Sequence, residues 1–482
     1  MKTMKISDSE AKRLGSQINE KGFSWLMGAV FIVGETAGGG MIALPYAVTS
    51  TGLVGGIILL MLCALFSLYT ALELSWTWKI MHNQWEEYRE HCRQPYAEIA
   101  YRAIGPKSRS LIATILCLAQ IGFATVLILL AAKNLSLLLH FFFSIDINQC
   151  YLILIVGIFV WPLTMLKSPM HFWQVALFSA GSSTIAVILV AIGMIHDFPT
   201  CSTDVPHNPI DLAKATMSFG TFVFAFGGHA TLPTIQHDMK KPAHFIYSIF
   251  LAVFLCTIYY LTIALGGYFT YGSTVGEAVI PSIQIMWIQQ IVNLMIAIHV
   301  ITTIVIVLSP PIQQVEQWLK LPHDFGVKRF VVRTLIYWFV LFIALSIPHF
   351  GPLLDLFGAS LFVMMTLVFP PIFYLSLRTQ EIDNFEKRPT IEEIIKKTPK
   401  YILFINGIVL AFGIIGGILA TITSLIKLFD EKMAAPCYIQ YFSGNGLEFS
   451  GNNVGAVNCC GSNFNLTVSG ISPNGFCSIS EI

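Results

Sequence analysis

Long apolar segments recur along the 482-residue chain and are separated by shorter polar stretches. About 20 apolar residues in a helix are enough to cross the hydrocarbon core of a bilayer. By this measure the chain has eleven predicted membrane spans, at residues 24–48, 53–80, 110–138, 150–166, 172–196, 213–235, 244–269, 283–308, 330–348, 354–377 and 401–427. The pattern therefore predicts an all-α protein that passes through a membrane many times.

Basic residues lie in every second connection between the spans. Lys and Arg precede the first span and follow the second, fourth, sixth, eighth and tenth spans, whereas residues 141–149, 197–211 and 271–284 contain neither. Because cytoplasmic loops carry the excess of Lys and Arg, this alternation predicts a cytoplasmic N-terminus. With an odd number of spans, the C-terminus is then predicted to be outside or luminal.

The same pattern predicts a cytoplasmic tail at 1–22, a transmembrane domain at 23–427 and an outer tail at 428–482. Only 11% of the residues are charged, against about 25% in soluble domains. The formal net charge is +1, and no basic tract indicates nucleic acid, so the expected partner is the lipid bilayer. Neither tail is large enough for a catalytic domain. We therefore expect no enzymatic activity, and no cofactor other than a coupling ion.

The first span is interrupted near its middle. Residues Gly34 to Gly40 contain four glycines and one carboxylate, and Pro45 follows within the same apolar segment. Glycine costs about 1 kcal/mol relative to alanine in a helix interior. Unwound backbone at this depth is tolerated only where it is buried in protein or lines a cavity. The stretch therefore predicts a broken helix with a function.

The sixth span contains a second interruption of the same kind. Gly227 and Gly228 precede the helix-breaking Pro233 inside an apolar segment. The first span begins inside and the sixth begins outside, so the two five-span units are predicted to be inverted copies. Paired interruptions at matching positions of inverted halves are a sequence indication of a transporter site.

Five segments carry a resemblance to a known family. They are Gly38-Gly-Gly-Met-Ile-Ala-Leu-Pro45-Tyr46-Ala47, Tyr96-Ala-Glu-Ile with Ala103-Ile-Gly105, Phe226-Gly-Gly-His-Ala-Thr-Leu-Pro-Thr-Ile235 with Met239-Lys-Lys-Pro242, Ile347-Pro-His-Phe-Gly351 with Leu356-Phe-Gly358, and the Pro370-Pro371 pair that interrupts span ten. In this order they resemble the amino acid/auxin permease family. The resemblance implies an amino acid transporter with a five-plus-five inverted repeat, broken first and sixth helices, and an eleventh helix outside the repeat. It also implies that spans one and six rock against spans three, four, eight and nine.

The expected substrate contacts lie at the two interruptions. Backbone N–H groups at the start of a half-helix favour a carboxylate, and freed carbonyl groups suit an ammonium. The candidates are Thr36, Gly38, Gly39, Gly40 and Met41 in the first span, and Phe226, Gly227 and Gly228 in the sixth. The alternative is that these glycines only allow close packing between helices, which is frequent in membranes.

The candidate coupling residues favour H⁺ over Na⁺. Glu35 is an ionisable residue within a membrane span, which is usually functional, and His229 can titrate near physiological pH. The structural alternative for Glu35 is a hydrogen bond to unwound backbone or to the Thr36 hydroxyl. Thr302 and Thr303 could supply oxygen ligands for Na⁺, or could bond back to their own helix. His299, in the middle of span eight, is a further candidate.

The outer side is predicted to be oxidising and glycosylated. Six cysteines fall on this side, so disulfides are expected although their pairing cannot be deduced. They are Cys150, Cys201, Cys437, Cys459, Cys460 and Cys477. Asn465 lies in a glycosylation sequon in the outer tail.

The sequence thus predicts a secondary transporter of small neutral amino acids that works by alternating access. The alternative is a non-transporting amino acid sensor that keeps the same binding site. The plasma membrane and the lysosomal membrane fit the pattern equally well, and no protein partner is indicated.

Overall fold

The computed structural model describes residues 22–89, 92, 94–145, 147–165, 173–202, 207, 209–321, 326–385, 387–430 and 436–442. Within these ranges the chain is helical, and the one β-type pairing is an isolated bridge between Phe23 and Met239. The predicted tail features at Cys459, Cys460, Asn465 and Cys477 lie outside the described residues, as does most of the predicted N-terminal tail.

Most helices of the described residues overlap the predicted spans. In chain order the helices are α1 (Trp25–Thr36), α2 (Gly39–Thr51), α3 (Leu53–Gln84), α4 (Pro95–Ala103), α5 (Pro106–Phe143), α6 (Gln149–Val160), α7 (Trp173–Cys201), α8 (Leu212–Ala225), α9 (Leu232–His237), α10 (Phe245–Tyr271), α11 (Met286–Trp318), α12 (Val327–Ser346), α13 (Phe350–Ile382), α14 (Ile391–Lys397), α15 (Lys400–Asp430) and α16 (Cys437–Phe442).

In the described part of the chain, eight helices are long and apolar enough to cross a membrane, and α1 with α2 forms a ninth, bent span. The predicted spans four and six correspond to shorter apolar segments, Gln149–Met165 and Leu212–Ala225. These helices confirm the prediction of an all-α, multi-pass fold. The inverted relationship between the two halves stays a prediction.

Both predicted helix breaks are present. The axes of α1 and α2 differ by 56° across the break at Ala37 and Gly38. In the sixth span, α8 ends at Ala225 and α9 begins at Leu232, so six residues between them are non-helical. Glycine weakens both helices at these points because it loses more conformational freedom than any other residue when a helix forms.

The proline pair of span ten behaves differently from the prediction. Pro370 and Pro371 do not break α13, which continues from Phe350 to Ile382. Instead, Gly358–Phe362 and Met364–Val368 form π-helical turns just before the prolines. Proline lacks the N–H that an α-helical turn needs, and the wider turns before it allow the helix to continue. The predicted interruption is therefore a stretch of wider, π-helical turns within a continuous helix.

The two broken helices lie at the centre of the bundle. Helix α2 packs on α8, and α10 packs on both α1 and α2. Helix α7 packs on α1 and on α11, while α11 also packs along α5. The break in the first span is thus enclosed by α7, α8, α10 and α11, which is the protein-buried environment that unwound backbone requires.

Candidate functional site

One tyrosine joins the two helix breaks. The hydroxyl oxygen of Tyr260, on α10, lies 3.0 Å from the carbonyl oxygen of Thr36 and 2.5 Å from that of Ala225. Both carbonyls end helices, where the last C=O groups have no partner within the helix. A phenol has one hydrogen, so Tyr260 shares it between the two helix ends. The side chain is fully buried.

A second connection runs through Glu35. The hydroxyl of Thr231, in the sixth-span break, hydrogen-bonds the Glu35 carboxyl group. Glu35 is only 4% exposed, and no cationic side chain of the described chain forms an ion pair with it. The Thr36 hydroxyl instead donates to the Ile32 carbonyl at 2.8 Å and contacts the Cys256 sulfur at 3.2 Å. The expected alternative partner of Glu35, Thr36, is therefore replaced by Thr231.

Two of the four expected carboxylate-binding N–H groups are already used. The Gly38 N–H donates to the Thr36 carbonyl at 2.9 Å, and the Met41 N–H donates to the Gly38 carbonyl at 3.0 Å. The N–H groups of Gly39 and Gly40, which begin α2, have no acceptor among the described residues. Free N–H groups at a helix start are a natural anion site.

The three consecutive glycines have different surroundings. A Cβ atom built on Gly40 would lie 2.7 Å from the Cα atom of Ala225, so Gly40 allows α2 to approach α8 closely. A Cβ atom on Gly38 would lie 2.0 Å from the Nε2 atom of His299. A Cβ atom on Gly39 would meet only side-chain carbons, the nearest being a methyl of Leu130 at 3.4 Å. The packing explanation therefore accounts for Gly40 but not for Gly39.

The carbonyl groups of the second break are partly occupied. The Phe226 carbonyl accepts a hydrogen bond from the Ser67 hydroxyl at 3.3 Å, and the Gly228 carbonyl accepts from the Thr231 N–H at 3.2 Å. The Gly227 carbonyl has no donor within the described ranges. Of the three expected ammonium ligands, Gly227 is thus the one whose carbonyl is unpaired.

His229 lies in the same break and lines a cavity between α1, α3, the second break and α10. The cavity wall consists of Ile32, Thr36, Ser67, Ala71, Phe226, Gly228, His229, Leu232, Ile249, Ala252, Val253 and Cys256. The Nε2 atom of His229 lies 3.0 Å from the Thr70 hydroxyl oxygen and 3.1 Å from the Ser67 carbonyl oxygen. The Thr70 hydroxyl donates to the Phe66 carbonyl at 2.9 Å, so it accepts from His229.

This arrangement assigns the tautomer of His229. Its Nε2 atom carries the hydrogen, because both of its neighbours are acceptors. Its Nδ1 atom is buried and has no hydrogen-bond partner among the residues that the structure describes, and in the neutral ring it holds a free lone pair. A buried histidine with an unused nitrogen next to a cavity can accept a hydrogen bond or a proton.

The two threonines of span eight have different positions. The Thr302 hydroxyl donates to the carbonyl oxygens of Ile298 and His299, both at 2.8 Å and both in its own helix. The Thr303 hydroxyl oxygen lies 3.3 Å from the Gly34 carbonyl oxygen and 3.0 Å from the Ser179 hydroxyl oxygen. The Thr303 hydroxyl also donates to the His299 carbonyl of its own helix at 2.8 Å. Thr303 therefore bonds back to its helix and also reaches the first break, whereas the Thr302 hydroxyl contacts only carbonyls of its own helix among the described residues.

Two serines that the sequence reasoning missed also reach the first break. On α7, Ser179 donates to the Gly34 carbonyl at 2.6 Å and Ser183 donates to the Ala37 carbonyl at 2.5 Å. Their signal in the sequence is a run of small polar residues, Ser179-Ala-Gly-Ser-Ser183, in the middle of an apolar span. Such hydroxyls in a membrane helix commonly hydrogen-bond across helices.

Two of the cysteines predicted to form disulfides are bonded to each other. Cys150, at the start of α6, is bonded to Cys437, at the start of α16. Cys201 is also disulfide-bonded. Disulfide bonding is thus confirmed for three of the six candidate cysteines, Cys150, Cys201 and Cys437. The cysteines Cys63, Cys92, Cys117 and Cys256 are free thiols.

Comparison with known proteins gives a consistent result. The family model described as "Transmembrane amino acid transporter protein" matches residues 21–420. Amino acid transporter AVT1B of Arabidopsis thaliana is 24% identical over 413 residues, which are 83% of this chain and 70% of that protein. Lysine histidine transporter-like 3, from the same plant, is 24% identical over 84% of this chain and 89% of its own length.

A solved structure shows the same fold. The crystal structure of MhsT in complex with L-phenylalanine superposes with a TM-score of 0.55. The alignment covers 84% of this chain and 99% of MhsT, at 12% sequence identity. At this identity the match describes the arrangement of the helices alone.

Proposed function

This chain belongs to the family of transmembrane amino acid transporter proteins, and on that premise we propose that it is a secondary active transporter of small neutral amino acids. The observation that carries the proposal is that the N–H groups of Gly39 and Gly40 have no acceptor in the described part of the chain. They begin α2 at a buried helix break, where the positive end of the helix dipole favours the carboxylate of an amino acid.

The surroundings of Gly39 support a neutral side chain. The nearest side chains to this position are Leu130, Phe350 and Leu127. A charged substrate side chain placed among them would lose its hydration without gaining a partner. The Gly227 carbonyl and the carbonyl groups at the end of α8 would accept hydrogen bonds from the substrate ammonium.

The coupling ion in this proposal is H⁺. Glu35 is a buried carboxyl group that connects the two helix breaks through Thr231. A proton that binds or leaves Glu35 changes this connection, and so changes the relative stability of the two breaks. His229, with its unpartnered Nδ1 atom on the neighbouring cavity, is the second proton-accepting group.

Alternating access would involve the two broken helices. Helices α1, α2, α8 and α9 would move against a scaffold of α5, α6, α11 and α12. The links through Tyr260 and Thr231 join the broken helices to each other and to α10, so they favour movement as a unit.

Uptake into proteoliposomes tests the proposal. The purified full-length protein would be reconstituted and given radiolabelled neutral amino acids, with and without an inward proton gradient. We expect accumulation that needs the gradient and is abolished by a protonophore, with protein-free liposomes as the control. Saturable binding without any accumulation would support the sensor instead.

A further inference from the structure

The imidazole of His299 fills the junction between the first-span break, α7 and α11. Its side chain is fully buried, with 0% exposure. A Cβ atom on Gly38 would lie 2.0 Å from Nε2, so the ring occupies the space that a side chain at position 38 would need. The absence of a side chain at Gly38 therefore lets the first break pack against the ring of His299.

The hydrogen bonds around the ring determine its orientation. The Nδ1 atom lies 2.7 Å from the Ser183 hydroxyl oxygen and 3.0 Å from that of Ser179. These hydroxyls are only 2.5 and 2.6 Å from the carbonyl oxygens of Ala37 and Gly34. Two oxygens this close need a hydrogen between them, so both serines donate to the carbonyls and accept from the Nδ1–H of His299.

The atoms that surround the ring form an oxygen-rich shell. It comprises the Gly34 and Ala37 carbonyls, the two serine hydroxyls and the Thr303 hydroxyl, which is 3.4 Å from Nε2. Carbonyl and hydroxyl oxygens are the ligands that a hard cation such as Na⁺ prefers. A sodium ion does not fit among them as they stand, because an imidazole nitrogen already faces both hydroxyls and the ring fills the space beside Gly38.

We propose that the side chain of His299 takes the place of a sodium ion at this junction, so that the protein binds no Na⁺ there and transports without a sodium gradient. The inference rests on the proposed function, because the absence of sodium coupling has a consequence only if the protein is a transporter. The oxygen shell itself is independent of that function. Removal of the imidazole is expected to leave space for Na⁺ among ligands that are already positioned.

Sodium binding is measured first, by thermal unfolding of the purified full-length protein in detergent. Equal concentrations of NaCl and choline chloride are compared at constant pH. We expect no difference for the wild type, and for His299→Ala a rise of about 3–5 °C in NaCl, since a ligand that binds only the native state raises Tm.

Two double variants identify the ligands. His299→Ala with Thr303→Val should lose the sodium-dependent rise. The Thr303 hydroxyl oxygen bonds back to the His299 carbonyl but also lies 3.3 Å from the Gly34 carbonyl oxygen and 3.0 Å from the Ser179 hydroxyl oxygen. His299→Ala with Thr302→Val should keep it, because the Thr302 hydroxyl bonds to its own helix. Thr302 and Thr303 are adjacent in the sequence and have the same side chain, so a difference between the two double variants reports the position of the hydroxyl group.

Either of two results overturns the inference. One is a sodium-dependent rise in the wild type, a measurement that needs no variant. The other is a folded His299→Ala, or His299→Asn if alanine prevents folding, that shows no sodium response. Proteoliposome uptake in NaCl and choline chloride separates the two proposals. Sodium binding by the variant together with a wild type that never accumulates amino acids would refute the transport function and leave this inference intact.

Discussion

The Thr231 hydroxyl hydrogen-bonds the Glu35 carboxyl group, and this contact joins the broken first span to the broken sixth span. The two residues are 196 positions apart in the sequence. Glu35 lies two residues before the break at Ala37, and Thr231 lies within the second break. A change in the charge of Glu35 is therefore felt at both breaks at once.

Glu35→Gln should uncouple uptake from the proton gradient. Glutamine has nearly the same shape and can still bond to Thr231, but it cannot exchange a proton. In proteoliposomes we expect the variant to equilibrate the substrate across the membrane without accumulating it. The measurement is substrate accumulation with and without an inward proton gradient.

The matched control for Glu35 is Asp355→Asn. Asp355 is also a buried carboxyl group that is hydrogen-bonded by a threonine hydroxyl, that of Thr221. It connects α13 to the helical part of α8 and not to a break. We expect Asp355→Asn to retain gradient-dependent accumulation. Accumulation by Glu35→Gln at the wild-type level would exclude Glu35 as the coupling group.

Tyr260→Phe should destabilise the protein by about 1–2 kcal/mol, since the buried Ala225 carbonyl oxygen loses its donor while the Thr36 carbonyl oxygen keeps the Gly38 N–H. Thermal unfolding in detergent measures this change. The control is Tyr259→Phe, whose hydroxyl lies 3.0 Å from that of Thr184. Thr184 also donates to the Ala180 carbonyl, so the control leaves no carbonyl without a donor. An equal loss of stability in both variants would contradict the role of the Tyr260 hydroxyl in joining the two breaks.

Gly40→Ala should destabilise by about 1–3 kcal/mol, because its Cβ atom would lie 2.7 Å from the backbone of Ala225 and force α2 away from α8. Gly181→Ala, in the interior of α7, is the control. No atom lies within 4 Å of a Cβ atom there, so this variant should be stabilised by up to about 1 kcal/mol through helix propensity. Thermal unfolding distinguishes the two signs, and a neutral Gly40→Ala would contradict the packing role.

The sequence predicted the helix breaks because their cause is local. Gly38, Gly39 and Gly40 in the first span, and Gly227 with Gly228 in the sixth, weaken the helix wherever they stand in the fold. The Pro370-Pro371 pair shows the limit of this reasoning. Its effect depended on whether the preceding turns could widen, which is a property of the packed helix α13.

The partners within the candidate site were not predictable from local patterns. Ser179 lies 145 residues from Gly34, whose carbonyl it contacts, and 120 residues from His299. Nothing in a serine or a histidine inside an apolar span specifies which helix it will face. The breaks therefore indicated where a site lies, whereas the fold was needed to show which side chains meet there.

Asp238→Asn should stabilise the protein in a pH-dependent way. Asp238 lies just beyond α9, after the predicted sixth span, and burial raises the pKa of its carboxyl group to about 6. In the unfolded chain this carboxyl group loses its proton near pH 4. Between about pH 4 and 6 the native state therefore binds more protons than the unfolded state, and the stability of the native state falls as the pH rises. Asparagine has no carboxylate to bury, so the variant avoids this loss of stability. The Tm of the variant should therefore exceed that of the wild type at pH 7.5, with a difference that shrinks towards pH 5. The exposed Glu381→Gln controls for the loss of one negative charge, and a pH-independent difference for Asp238→Asn would contradict the assignment.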